Sequence, residues 1–205
     1  MGAGYIAILQ ARLDYLTKLA EIHYKSLPDD FLPSLGLDFL ERVYYPEAIK
    51  SEFAVTLVAL DRGYPVGFVT VSHNSRCFMR YILTNKLAIL VFFVIRATLR
   101  NFRYLTKFVE VAWFLLLSKP DPIEAEIVFI AVDEAYRGQG VGKKLVTAAI
   151  DYLREKGCNN CRTKTLAHNL GVIRFYEGMG WYVRDSYRFI GREYVTIVSP
   201  PFMHY

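Results

Sequence analysis

Acidic residues are missing from one long stretch of this sequence. Residues 74–109 contain no aspartate or glutamate, while Arg76, Arg80, Lys86, Arg96, Arg100, Arg103 and Lys107 all fall there. The net charge of +5 is therefore concentrated in one segment, and the remainder of the chain carries −2. That distribution excludes an evenly basic surface for nucleic acid, and no nucleic-acid partner is expected. Cysteine is scarce: Cys77, Cys158 and Cys161 are an odd number and build no disulfide framework. Cys158 and Cys161 supply half the ligands of a structural zinc with no second pair to complete it, so no metal is expected. No basic and apolar leader opens the sequence and no lipidation box is written at its ends, which points to a reducing cytoplasm. Long apolar runs are lacking too. LAILVFFVI stops at Arg96 and FVEVAWFLLL contains Glu110, both well short of the ~20 residues of a membrane crossing, so neither is expected to span.

What is present suits a packed α/β chain. Over 205 residues, 53% are apolar and 15% aromatic, enough for one substantial core and one domain over residues 1–205. A short strand over residues 5–10 leads into apolar residues at helical spacing, Leu13, Leu16, Leu19, Ala20, Tyr24 and Leu27. LPDDFLPSLG reads as a loop and LDFLERVYY as a second, shorter helix. FAVTLVALD and PVGFVTVSH, split by RGY, form a hairpin. After a helical stretch over residues 79–117, IEAEIVFIAV is a strand, GKKLVTAAIDYLREKG a helix, RTKTLA a strand and GVIRFYEGMG a helix. WYVRDSYRF and REYVTIVS close the chain as a hairpin turned at Gly191.

Between the strand and the helix lies AVDEAYRGQGVGKKL, with Gly138, Gly140 and Gly142 in five positions. Glycine in regular structure costs roughly 0.5–1 kcal/mol relative to alanine, so three together need a reason. A strand that ends in exposed backbone N–H groups at a helix N-terminus makes an anion site, and side chains at 138, 140 and 142 would keep a phosphate from those amides. Spacing excludes the nucleotide P-loop, because Gly142-Lys143 is followed by Lys144, and the dinucleotide fingerprint, because the two-residue second gap is missing.

Arg137-Gly-Gln-Gly140-Val-Gly142 resembles the acetyl-CoA pyrophosphate loop of the GNAT superfamily of N-acetyltransferases. Asn169 followed by FYEGMGW, residues 175–181, is similar to that family's second motif, and the likeness is specific over residues 123–182. The resemblance implies an α/β (α+β) fold, a mixed and mostly antiparallel sheet flanked by helices and splayed between strands four and five. It implies acetyl-CoA as acyl donor, no metal, and direct transfer to a primary amine of a small molecule, an amino sugar or a protein, with no covalent enzyme intermediate. The backbone of Ile130, Ala131 and Val132 would pair with the pantetheine arm, and a backbone amide of the fourth strand would hold the oxyanion. Amides of Arg137, Gly138, Gln139, Gly140, Val141, Gly142 and Lys143 would hold the pyrophosphate. Asn169 matches a residue that contacts the cofactor arm, and Tyr176 matches the general acid for the leaving thiolate. A chain that binds acyl-CoA without catalysis, as a sensor or a membrane-surface adaptor, is the other class of answer.

A protonated acceptor amine needs a base within reach. Glu126 is the candidate, because a carboxylate on an apolar strand needs a task or a partner; it also resembles the base-bearing strand of the histone-acetyltransferase branch, two residues nearer the glycine turn. Glu124 and His168 are rivals. The segment over residues 79–117 departs from a minimal domain of this family as an insertion between the third and fourth strands. Arg96, Arg100, Arg103 and Lys107 share one helix face, which suits an anionic membrane surface at the inner side of the cell or a phosphate-bearing acceptor. Its apolar residues equally suit packing on the sheet or on a second copy in a homodimer.

Overall fold

The computed structural model describes residues 6–28, 30–100, 121–189 and 191–202. Seven strands form a single sheet in the order β1-β2-β3-β4-β5-β7-β6. They are β1 (Ile6–Gln10), β2 (Ala54–Asp61), β3 (Tyr64–Ser72), β4 (Glu126–Val132), β5 (Arg162–Leu166), β6 (Tyr182–Phe189) and β7 (Arg192–Val198). All neighbours are antiparallel except β4 and β5. The mixed, mostly antiparallel sheet expected from the sequence is the one observed.

Helices cover both faces. Among the described residues they are α1 (Leu16–Ser26), α2 (Leu37–Phe39), α3 (Tyr45–Lys50), α4 (Ser75–Arg100), α5 (Val141–Glu155) and α6 (Leu170–Glu177). On one face α5 presents Val141, Leu145, Val146, Ala149 and Leu153, all buried and spaced by helical turns, to Val69, Val71 and Ile127 of the sheet. On the other face α1 to α4 pack around Phe39, Tyr45, Phe68 and Phe78.

Two local departures from the sequence reading have covalent causes. Between α2 and α3 the helix widens into a π-turn over Leu40–Tyr44. Pro46 lies in the first turn of α3 and has no N–H for the carbonyl a turn earlier, and its ring would crowd that carbonyl, so the backbone loosens there. In the β2–β3 hairpin, Tyr64 already pairs with Asp61, and Arg62 (φ 49) and Gly63 (φ 85) alone make the turn. Two successive left-handed residues match the strands' twist, and glycine takes the second place without penalty.

The position of the site is set by β4. It pairs with β5 only at Glu126↔Arg162 and Ile127↔Thr163, after which the strands part. Opposite β3 the register jumps from Thr70↔Phe129 to Val71↔Ile127, so Val128 is an extra residue in β4. As in other bulges, this local disruption bends the strand. Val128 and Phe129 consequently both pack on the α1 side, while Ile127 and Ile130 pack on the α5 side.

The stretch over residues 79–117 is described only as far as residue 100. That part is helical, as expected, and follows β3 directly. Arg103, Lys107 and FVEVAWFLLL lie outside the described residues.

Candidate active site

Where β4 and β5 diverge, a cleft of about 360 Å³ opens. Val128, Phe129 and Ile130 form one wall, Thr163 to Leu166 the other, and the segment after α1 closes one end with Ser26, Leu27, Pro28 and Asp30. His168, Asn169, Tyr176 and Tyr194 complete it.

Backbone orientation along β4 follows from one hydrogen bond. The Asp133 N–H donates to the Val66 carbonyl at 2.9 Å, and alternation in an antiparallel ladder then turns Ala131 and Phe129 toward β3. Val132 and Ile130 turn their N–H and C=O groups toward the cleft. Consistent with this, the Val132 carbonyl accepts from Arg137 Nε at 3.1 Å. Of the three residues expected to pair with an extended ligand, Ile130 and Val132 face the gap, whereas the Ala131 backbone is committed to Phe68 of β3.

The glycine turn begins with Asp133, whose carboxylate accepts from the Ala135 N–H at 3.2 Å and caps a short 3-10 turn, Glu134–Tyr136. Arg137 reaches back to Val132 and, through a terminal guanidinium nitrogen, to Ser26 Oγ at 3.3 Å, which ties the turn to β4 and to the end of α1. Gln139 Nε2 donates to the Ala135 carbonyl at 2.9 Å. Gly138 (φ 74) and Gly140 (φ 78) are left-handed, and a Cβ on either would meet nothing within 4 Å. Conformation therefore requires these two glycines, and the space beside them stays open for a ligand. Gly142 differs: its φ is not left-handed, and a Cβ there would lie 3.4 Å from Phe175 Cζ, an ordinary contact. The first bond within α5 runs from the Lys144 N–H to the Gly140 carbonyl, which leaves the N–H groups of Val141, Gly142 and Lys143 for another acceptor.

Tyr176 is 1% exposed, and its ring packs on Trp181 with centroids 4.7 Å apart. Tyr176 lines the cleft, and its hydroxyl is buried with no hydrogen-bond partner among the described residues. An orphaned buried hydroxyl is expensive and marks a place where a ligand atom can complete it. Burial pushes this phenol well up, and the neighbouring Thr163 hydroxyl offsets only part of that. Asn169 caps α6, its side-chain oxygen accepting from the Val172 N–H at 3.4 Å, and lines the same wall.

Glu126 is placed differently from the role expected of it. Its carboxylate accepts from Arg162 at 2.7 Å and 3.0 Å and sits 3.1 Å from Lys164 Nζ. Arg162 also pairs with Asp121, which in turn pairs with Arg184 at 2.6 Å. Burial pushes the Glu126 carboxyl up, but Lys164 and Arg162 outweigh it and the net shift is downward. A carboxylate so held is a weak proton acceptor. The partner that strand burial demanded is Arg162, at the last residue pair before the strands separate, and the ion pair closes the foot of the cleft. Of its rivals, Glu124 is exposed, accepts from Asn74 at 2.8 Å and stands away from the cleft wall, whereas His168 is exposed and lines it.

The sequence reading missed the residues 26–30 segment as a wall of the site, together with Lys164, Thr163 and Tyr194. The prolines of LPDDFLP announce a loop but not where it folds. It also left His23 unassigned. That side chain is fully buried, with Nδ1 2.9 Å from the Tyr45 hydroxyl, Nε2 unpartnered among the described residues, and the ring 4.6 Å from that of Phe129 in the cleft wall. No group of three potential metal ligands occurs among the described residues.

Residues 16–181 match the family model described as the acetyltransferase (GNAT) family. The N-alpha-acetyltransferase 30 of Saccharomyces cerevisiae is 35% identical over 71 residues, covering 32% of this chain and 40% of that protein. The N-acetyltransferase 8B of Rattus norvegicus is 26% identical over 80 residues, 36% of each. The matches thus span about two fifths of these relatives' length. Among solved structures, ribosomal-protein-alanine N-acetyltransferase from Brucella melitensis superposes with a TM-score of 0.62 over 95% of this chain and 99% of that one, at 16% identity. The N-acetyltransferase PaiA from Thermoplasma acidophilum, solved with coenzyme A, gives 0.61 over 96% and 99%, at 15% identity. At such identities the likeness is one of fold.

Proposed function

The chain belongs to the acetyltransferase (GNAT) family, and on that premise we propose that it transfers an acetyl group from acetyl-CoA directly to a primary amine. The observation that carries this reading is the gap between β4 and β5, with left-handed glycines in the turn that follows β4 and Tyr176, its hydroxyl buried, in the lining. Acetyl-CoA is a substrate and supplies the activated acetyl group. The amides around Gly138 to Lys143 accept its diphosphate, since they offer unpaired donors at the positive end of α5. Ile130 and Val132 pair with its amide-bearing arm as an added strand would, and Asn169 flanks it.

Ile130 turns an N–H into the cleft, where it stabilises the oxygen that becomes negative as the amine attacks. Tyr176 gives its proton to the departing thiolate; burial holds the phenol in its protonated form, and the negative charge that develops on the adjacent sulfur is what draws the proton away. The amine's own proton goes to His168, directly or through one water, because that imidazole lines the cleft while Glu126 is held by two cations. Attack and departure follow on the same carbonyl without a covalent enzyme intermediate.

The acceptor reading is coarser. The likeness to the N-alpha-acetyltransferase 30 of Saccharomyces cerevisiae favours the α-amino group of a protein over a small amine or an amino sugar. Thiol release from acetyl-CoA, measured over peptides with free N-termini, small amines and amino sugars, tests both levels. Release with peptides, and the mass of one acetyl group on the α-amine, is the expected result. Release with small amines alone would reassign the acceptor, and stoichiometric CoA binding with no release would make the chain an acyl-CoA sensor.

A further inference from the structure

Helix α4 is the largest surface feature that acetyl transfer leaves unused. Its described part runs for 26 residues and continues through Lys86 with a non-helical kink (φ −130°, ψ 21°). Over Ser75–Leu99 it is long and apolar enough, by length and composition, to cross a membrane. Its packing argues for another arrangement. Phe93 and Ala97 are buried against the domain, with the Phe93 ring 5.4 Å from Phe39. Lys86 pairs with Glu47 at 3.3 Å, and Arg96 lies 3.7 Å from Asp38. Beyond the kink, residues 87–100 rise about 21 Å, less than the ~30 Å of a hydrocarbon core. A helix fixed along one side to a folded domain cannot be surrounded by lipid.

The opposite side is apolar and open. Leu87, Val91, Phe92, Ile95 and Leu99 follow one another at helical spacing and are all exposed, Leu99 at 83% and Phe92 at 59%. Water around so continuous an apolar face is unfavourable, which marks an interaction surface. The sequence names the occupant by charge. Arg76 and Arg80 are exposed on the first part of the same helix, and the sequence over residues 74–109 holds seven cations and no carboxylate. A second copy of the chain would bring the same unbalanced positive charge to the contact, whereas an anionic headgroup layer neutralises it.

We propose that α4 docks the protein on an anionic lipid surface, lying flat with Leu87, Val91, Phe92, Ile95 and Leu99 among the headgroups and upper acyl chains. Because α4 packs on the helices that follow the residues 26–30 wall of the cleft, the docked protein would hold that end of its site near the bilayer.

Co-sedimentation of the full chain with phosphatidylglycerol–phosphatidylcholine vesicles, and with phosphatidylcholine alone, tests this. Sedimentation with the anionic vesicles is expected, weakened by added salt. A Phe92→Glu, Ile95→Glu, Leu99→Glu variant should bind at least about tenfold more weakly, with acetyl-CoA binding and thermal unfolding showing that it is folded. Arg76→Gln with Arg80→Gln leaves the apolar face intact and should cut anionic-vesicle binding severalfold while sparing the fold. Failure of the intact chain to sediment beyond the phosphatidylcholine level would overturn the proposal, as would undiminished binding by both variants. So would a dimer in light scattering that the triple variant dissolves while vesicle binding is absent.

Discussion

The unit of β4, the glycine turn and α5 differs from α4 in how it uses its apolar residues. In the first, the inward stripe of α5 is buried against the sheet, and the outward chemistry is carried by backbone amides at a fixed spot. In the second, one stripe anchors the helix and an equally apolar stripe faces outward. A stripe of one sign on one face is the pattern of an element whose partners are all within the domain. Two apolar faces on one helix imply two environments, and only one of these belongs to the chain's own described fold.

That contrast can be broken at several points. The largest effect is expected at Arg162, which holds the foot of the cleft. Arg162→Ala removes the cation that Asp121 and Glu126 share, leaving them Arg184 and Lys164, and should lower stability by about 3 kcal/mol in denaturant unfolding. Glu126→Gln, by comparison, should weaken the fold while leaving turnover near that of the parent; a collapse of turnover with an intact fold would restore Glu126 as the base. Next comes Tyr176→Phe, expected to lower kcat about 100-fold with little change in acetyl-CoA affinity, and with no loss of stability because the hydroxyl is unpartnered.

A pH series separates the two faces of the sheet further. His23, on the α1 side, has its pKa driven down by burial to about 3 from 6.5. Below about pH 6.5 the unfolded chain takes up a proton that the folded one refuses, so stability falls with falling pH by up to about 1.4 kcal/mol per unit. It is level above that range. Unfolding free energies from pH 7 to about 5 should show this slope in the parent and a shallower one in His23→Gln, where His73, also lowered by burial, remains. The smallest effect is expected at Gly142→Ala, within about 0.5 kcal/mol of the parent, since the new methyl would make an ordinary contact with Phe175. Gly140→Val, two residues earlier, forces a branched side chain into a left-handed position and should cost about 1–2 kcal/mol together with acetyl-CoA affinity.

What could be read in the sequence was what is decided locally. Gly138 and Gly140, the helix after them and the Tyr176 motif follow each other in the chain, and the strand periods are visible in a few residues. Glu126 shows where such reading stops. Its burial was legible and its need for a partner was legible, but Arg162 is 36 residues away and becomes its neighbour only through the register of a parallel pair. The Val128 bulge is equally silent, because an extra residue in one strand is defined by its partner strand. For α4 the helix itself was legible; that Arg96 stands beside Asp38 was not, because that contact joins residues far apart in the chain.

The parting of β4 and β5 leaves two strand edges inside a sheet, where an edge normally invites another chain to add on and aggregate. Here the edges face each other across a gap closed at the foot by the Glu126–Arg162 pair and at one end by the segment after α1. A strand from another sheet would arrive with neighbours of its own and side chains on both faces, whereas a single slender chain of amides carries neither. Recession between two strands of one sheet thus favours a thin occupant over an added strand.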